Sequence, residues 1–361
     1  MITRSTDLLT DNLHFQERTL AISVATRHHL RWLAASVVFL AAAFPVLAQD
    51  IPKRSFCVFD PIGANGPLFS VMKAARAPAL GWGVDLQLRA YTDEKIAAEE
   101  FKAGQCDSVL LTGTRAREFN KFTGTLEAIG AVPGEREMRM LLQALNQEKA
   151  AGLLRSDGYE VVGILPAGAV YLFMRDRELD TVNELQGKKI GAFDYDDAAV
   201  TMVRRVGASV VGTNSANFAG KFNNGSVDII YAPAVAYTPL ELYKGVVPDG
   251  GVYNYPLTQM NFQILIHRDR FPEDYGKKVR DYSLDQVDRA YELVASAEAE
   301  IPEEFWTHPT AEQVSDYDEM LREVRLELRD GGTYDGTALK LMRAIRCKTD
   351  PTRPECALAL E

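Results

Sequence analysis

QGKKIGAFDYDDAAVTMVRRVGASVVGTNSANFAGKFNNGSVDIIYAPAVAY, residues 186–237, reads as strand, helix, strand, helix, strand. Short apolar runs (KKIGAF, ASVVG, VDII) alternate with stretches of helical periodicity, and glycines and asparagines punctuate the joins. Two of the strands run into polar and aromatic residues, DYDD after the first and YAP after the last. Alternating strands and helices predict a parallel sheet, and ligands of such sheets sit outside the carboxyl ends of the strands. This stretch therefore predicts one half of a ligand cleft.

The other half lies near the N-terminus. RSFCVF (54–59) ends in the turn-rich loop DPIGANG (60–66), and Pro67 suits the first position of a helix. VDLQLRAY (84–91) alternates as a strand does; Thr92 can cap a helix carrying Ile96, Ala97 and Phe101 on one face, and Gly104 can end it. SVLL (108–111) follows and stops at Thr112-Gly113-Thr114-Arg115. This second β-α-β-α-β unit brings Asp60 and Asn65 of its first loop near Thr112, Arg115 and Arg117 of its third.

The remainder connects the halves. Residues 135–154 read as a helix with Met138, Leu141, Leu142 and Leu145 inward. YEVVGILPAGAVYLFMRD (159–176) predicts two consecutive strands or one long strand crossing between domains, and MNFQILIHRD (260–269) a strand crossing back. Thr181 with Glu184, Ser283 with Gln286 and Thr310 with Gln313 carry the spacing of capping boxes. The expected fold is α/β and two-lobed, each lobe a mainly parallel sheet flanked by helices, with extra C-terminal helices. Lobe I would hold residues 49–166 and 267–361, and lobe II residues 167–266.

RHHLRWLAASVVFLAAAFPVLAQD (27–50) has basic residues, an apolar run and the small-residue pattern Val46-Leu47-Ala48, which predicts an export signal over 1–48 and a periplasmic protein. The formal net charge is −10, a poor match to nucleic acid or anionic membrane surfaces. No later segment approaches the roughly 20 apolar residues of a membrane span, so the body is not expected to be membrane-embedded. Four cysteines, Cys57, Cys106, Cys347 and Cys356, allow three pairings in an oxidising compartment. Cys57 with Cys106, on neighbouring predicted strands, and Cys347 with Cys356 in the tail are favoured over free thiols.

Catalysis finds little support. There is no Gly-x-Ser-x-Gly, no His-Glu-x-x-His, no phosphate loop and no Gly-x-Gly-x-x-Gly, and after the leader only His267 and His308 remain. The expectation is a non-enzyme without cofactor or metal.

The order of elements resembles that of two-lobed periplasmic solute-binding proteins of the TRAP-transporter type, especially over residues 181–231, with a capping helix before GKKI, then VGASVV and FNNGSVD. CVFDPIGANGP, FKAGQCDSVLLTG, PAGAVYLF, KFNNGSVDIIYAP and VRLELRDGG are similar to segments of the AdeT-type solute-binding or efflux-associated proteins. That resemblance implies a protein that captures a small organic solute between two lobes, closes by a hinge and hands the solute to a membrane transporter permease. The alternative it implies is an accessory component of a multidrug efflux system. TRAP-type proteins usually carry a carboxylate-gripping arginine just after the Lys-Ile pair; here that position is Gly191, followed by Phe193, Asp194, Tyr195, Asp196 and Asp197.

Those acids suggest an anionic, aromatic wall for an ammonium group, to which Asp60 adds from the first lobe. The expected solute is therefore amine-bearing, with or without a carboxylate. The plainer reading is that Asp196 or Asp197 caps the next helix. Arg115 and Arg117 can hold a ligand carboxylate or merely pair with Glu118. Tyr171, Tyr231 and Tyr237 suit wall contacts and suit core packing equally.

Overall fold

The computed structural model describes residues 50–179, 181–358 and 360–361. The export signal expected over 1–48 lies outside the described residues. Ten strands form one sheet: β1 Lys53–Phe59, β2 Asp85–Tyr91, β3 Ser108–Thr112, β4 Arg155–Ser156, β5 Tyr159–Met174, β6 Lys189–Phe193, β7 Ser209–Thr213, β8 Ile229–Pro233, β9 Gly251–His267 and β10 Trp306–Thr307. The main path runs β2-β1-β3-β9-β5-β8-β6-β7.

Two parallel units, β2-β1-β3 and β8-β6-β7, stand at opposite ends of that path, each the product of one β-α-β-α-β stretch. Between them lie β9 and β5, antiparallel to each other and to their outer neighbours. These two strands, of 17 and 16 residues, each serve both units. The first part of β5 pairs with β9 and, at Tyr159 and Glu160, with β4, and Val170–Met174 pairs with both β9 and β8. Of the two readings for residues 159–176, the single crossing strand is the one formed. Its proline and glycines do not break it but bend it, at register shifts between Val161 and Gly163, Pro166 and Gly168, and Val170 and Leu172. Gly168 has φ +89°, and a Cβ there would meet Val294 Cγ1 at 2.6 Å, so both its backbone and its space require glycine.

The helices follow local chemistry. Pro67 opens the helix Pro67–Ala74. Asp93 rather than Thr92 caps the helix Glu94–Lys102, accepting the Lys95 N–H at 2.8 Å. That helix buries Ala97, Ala98 and Phe101 and leaves Ile96, expected on the same face, half-exposed. Glu135–Leu145 buries Met138, Leu141, Leu142 and Leu145. The capping boxes at Thr181 and Thr310 are formed, each with its reciprocal Glu184 or Gln313 bond. Ser283 is not a cap: it is buried inside the helix Tyr275–Asp285, and the helix Val287–Ala299 starts beyond Gln286.

The larger apolar core surrounds β1 and β3 and continues through Ile190, Met202, Val203 and Ile229 of the other unit, where a second core gathers Phe173, Phe222, Ile230 and Val252. Cys57–Cys106 and Cys347–Cys356 are the two disulfides. No helix among the described residues is long and apolar enough to cross a membrane.

Candidate functional site

A cavity of about 660 Å³ opens where the strand ends of the two parallel units face each other. Its polar groups come from the loops that follow the strands. Glu94, first residue of its helix, is buried; it accepts the Thr112 N–H at 2.7 Å and the Tyr195 hydroxyl at 2.7 Å. Its own N–H donates to Ser215 Oγ at 3.2 Å. These contacts tie the loops after β2 and β3 to those after β6 and β7. Burial raises the Glu94 pKa, against the pull of the Tyr195 and Thr112 hydrogen bonds.

Glu127 is the second buried acid. It accepts the Gly113 and Thr114 N–H groups at 3.1 and 2.6 Å, the Thr114 hydroxyl at 2.7 Å and the Asn261 N–H at 2.7 Å. Burial outweighs those bonds and pushes its pKa up to about 7. Asp196 is the third. It caps the helix Asp197–Arg205 through the Ala199 N–H at 3.3 Å and accepts the Tyr231 hydroxyl at 3.2 Å. Burial raises its pKa, with the nearby Arg117 acting the other way. Asp196 therefore both caps a helix and lines the cavity.

The expected site residues divide. Asp60, Thr112, Arg117, Tyr195, Asp196 and Tyr231 line the cavity. Asp60 is engaged by its own loop, however: its carboxylate accepts the Ile62 and Phe69 N–H groups, each at 2.9 Å. Arg117 donates through Nε and Nη2 to the Gly124 carbonyl at 3.3 and 3.2 Å and lies over the Tyr334 ring.

Asn65 and Asp194 are exposed and do not line the cavity; the acidic wall expected at Asp194 is thus corrected to one built on Glu94, Glu127 and Asp196. Asp194 stands exposed in the turn after β6, whereas Asp196 is drawn inward as the cap of the helix Asp197–Arg205. Arg115 also stays outside the lining. Its guanidinium sits 3.4 Å over the Tyr195 ring, and Phe193 stacks on the same ring at 5.5 Å. The ring faces of Tyr195 are thus engaged within the protein rather than offered to a ligand cation. Tyr171 and Tyr237 belong to the second core; Tyr171 donates to Glu298 at 2.9 Å and packs on Trp306, and Tyr237 packs against Phe173 and Tyr243.

Glu94 and Glu127 escaped sequence reasoning. Glu94 looks like an acid favoured by a helix dipole, and Glu127 lies in a short turn with no motif. A Cβ at Gly191 would meet Ile230, Thr213 and Val227 side chains at 3.2, 3.3 and 3.7 Å, so this strand position faces packed side chains. Among the described residues no three His, Cys, Asp or Glu side chains gather as a metal site.

The AdeT 1/2 solute-binding protein family model matches residues 80–361. Probable solute-binding protein AdeT1 of Acinetobacter baumannii is 38% identical over 301 residues, which cover 83% of this chain and 99% of the relative. Probable solute-binding protein AdeT2 of the same organism is 29% identical over 236 residues, covering 65% and 99%. Among solved structures, a TRAP periplasmic solute binding protein from Desulfovibrio salexigens with bound orotic acid matches with a TM-score of 0.69 at 13% identity, covering 82% of this chain and 99% of that one. A TRAP periplasmic solute binding protein from Roseobacter denitrificans with bound beta-D-glucuronate matches with a TM-score of 0.65 at 14% identity, covering 81% and 99%. At such identities these structures speak for the fold alone. The topology, the family match and the AdeT1 relative agree: the chain belongs to the AdeT 1/2 family of solute-binding proteins and has the two-lobed fold of TRAP-type binding proteins.

Proposed function

We propose that this solute-binding protein captures an amine-bearing organic solute in the cavity between its strand-end loops and delivers it to a membrane transporter from the periplasmic side. The observation that carries the reading is the charge of the lining: Asp60, Glu94, Glu127, Asp196 and Glu300 are its acids, the first four of them buried, against two cations, Arg117 and Arg289. Carboxylates offer charge-assisted acceptors to an ammonium group; Glu94 and Asp196 keep lone pairs beyond the bonds they already accept, whereas Glu127, with four bonds on its two oxygens, contributes its charge. Two nitrogens of Arg117 are occupied by the Gly124 carbonyl, which argues against a free bidentate fork for a ligand carboxylate.

Lobe I then comprises residues 49–166 and 267–361 and lobe II residues 167–266. Closure turns on β5 and β9, where the shift between Pro166 and Gly168 falls at the boundary.

Thermal-shift and calorimetric titration of the protein with primary amines, amino acids and simple organic acids tests the proposal. Saturable binding of amines, weakened at least tenfold by Asp196→Asn with helix content retained, is the expected result. Tight binding of the acids with none of the amines would overturn the amine class and return Arg117 to the role of carboxylate anchor.

A further inference from the structure

Most of the cavity wall is not polar. The helix Pro67–Ala74 contributes Val71 and Met72, β5 contributes Val170, β9 contributes Met260, and the helix Val287–Ala299 contributes Leu293 and Val294. Part of the polar lining is one connected group, while Tyr282, Gln286, Arg289 and Glu300 stand apart from it. Glu94 binds Thr112 and Tyr195, Thr112 leads through Gly113 to Thr114, and Thr114 binds Glu127. Asp196 and Tyr231 form a second pair whose hydroxyl also accepts the Phe193 N–H at 3.2 Å.

This division has a physical consequence. A small, wholly polar solute could engage the acids, but it would leave the apolar wall covered by water that finds no partners there. Displacing such water by an apolar group gains affinity, at about 25 cal/mol per Å² of buried apolar surface. The volume of about 660 Å³ also falls within the range of pockets that enclose drug-sized ligands. Leu293 is half-exposed and Met260 packs partly against the core, and both present apolar surface to the cavity.

We infer that the solute is an amphiphile: a head that carries the amine, held at the Glu94–Glu127–Asp196 end, and an extended apolar body laid along Val71, Val170, Met260 and Leu293. The inference rests on the reading of this cavity as the solute site. It adds the class of the body to that of the head.

Calorimetric titration with straight-chain primary amines from butylamine to decylamine, and with the carboxylates of matching length, tests it below their aggregation concentrations. The expected result is amine affinity rising about fourfold per methylene until the chain fills the cavity. Leu293→Gln and Met260→Gln, checked by circular dichroism for native fold, should each flatten that rise, lowering decylamine affinity by a larger factor than butylamine affinity. Affinity independent of chain length overturns the apolar body, although short amines that bind would still support the amine head. Rising affinity in the carboxylates alone supports the apolar body and overturns the amine head. No binding at any length in either series overturns both.

Discussion

Glu127 holds four hydrogen bonds on its two oxygens and still has its pKa pushed up to about 7 by burial. A carboxyl raised above its unfolded value of 4.5 binds more protons folded than unfolded between those two values. Stability therefore falls as pH rises through that window, by up to about 3 kcal/mol from this group, and levels off above it. Urea denaturation at a series of pH values checks this against Glu127→Gln, which removes the slope. The amide that replaces the carboxyl would also face backbone donors with its own NH₂, so the variant should lose about 2 kcal/mol at pH 5.5. Ligand binding carries the opposite sign. An alkylammonium beside Glu127 favours the ionised form, so its affinity should rise by about tenfold from pH 6 to pH 8. Affinity that stays flat across this range would place the ammonium away from Glu127. Tyr195→Phe strands Glu94 Oε2, and a buried acceptor without a partner costs about 1–3 kcal/mol, measurable as a lower denaturation midpoint. Asp194→Asn, on an exposed side chain outside the cavity, should leave amine affinity unchanged.

At the scale of elements, the Cys57–Cys106 bridge joins β1 to the segment just before β3, across a sequence separation of 49 residues. Closing a loop of that length in the unfolded chain is worth about 4 kcal/mol by the entropic estimate, an upper value once unfolded-state structure is allowed for. The Cys57→Ser, Cys106→Ser double variant should lower urea stability by roughly that much, and a loss well under 1 kcal/mol would show the unfolded chain to be compact around this loop. The same strands show why elements were legible before their contacts. Apolar runs bounded by Gly, Pro and Asn set where β1, β3, β6 and β8 stop, and Thr310 with Gln313 set where a helix starts, because turn and cap chemistry is local. Cap choice between adjacent residues was less legible: Thr92 and Asp93 can both accept a backbone N–H, and the packing of Ala98 beside Phe101 favours the later start. Ser283 has capping-box spacing but lies within a helix, where Gly163 packs close enough that a Cβ there would come within 2.6 Å of its hydroxyl.

At the scale of the whole molecule, the C-terminal segment folds back onto the first unit through buried charge. Glu361 accepts Arg325 Nε at 2.8 Å and also binds Arg346; Arg325 Nη1 donates to the Ile129 carbonyl, Arg346 Nη1 donates to that of Ala131, and Glu355 accepts Arg346 Nε at 3.1 Å. All four charged side chains are buried. Glu361→Gln takes from Arg325 the carboxylate it pairs with and leaves Arg346 to Glu355, and removing one member of such a set costs about 3–5 kcal/mol, readable by thermal denaturation. The exposed pairs of Arg205 with Glu323 and Glu327 are a contrast, since Arg205→Ala should change stability by less than about 1 kcal/mol. The sequence by itself determined two β-α-β-α-β units, extended chain linking them, the favoured disulfide partners and the strand ends that face the cavity, because hydrophobic period, caps and turns act within a few residues; that residues 159–176 form one long strand was left to the fold. Only the tertiary structure decided which strand-end groups share the cavity. Glu94 and Glu127 entered it, Asp194 and Tyr171 left it, and Tyr195 became engaged by Glu94 and Arg115. The direction of a side chain at a strand end depends on a loop's path and on what packs against it from the opposite unit, and those contacts join residues about a hundred positions apart.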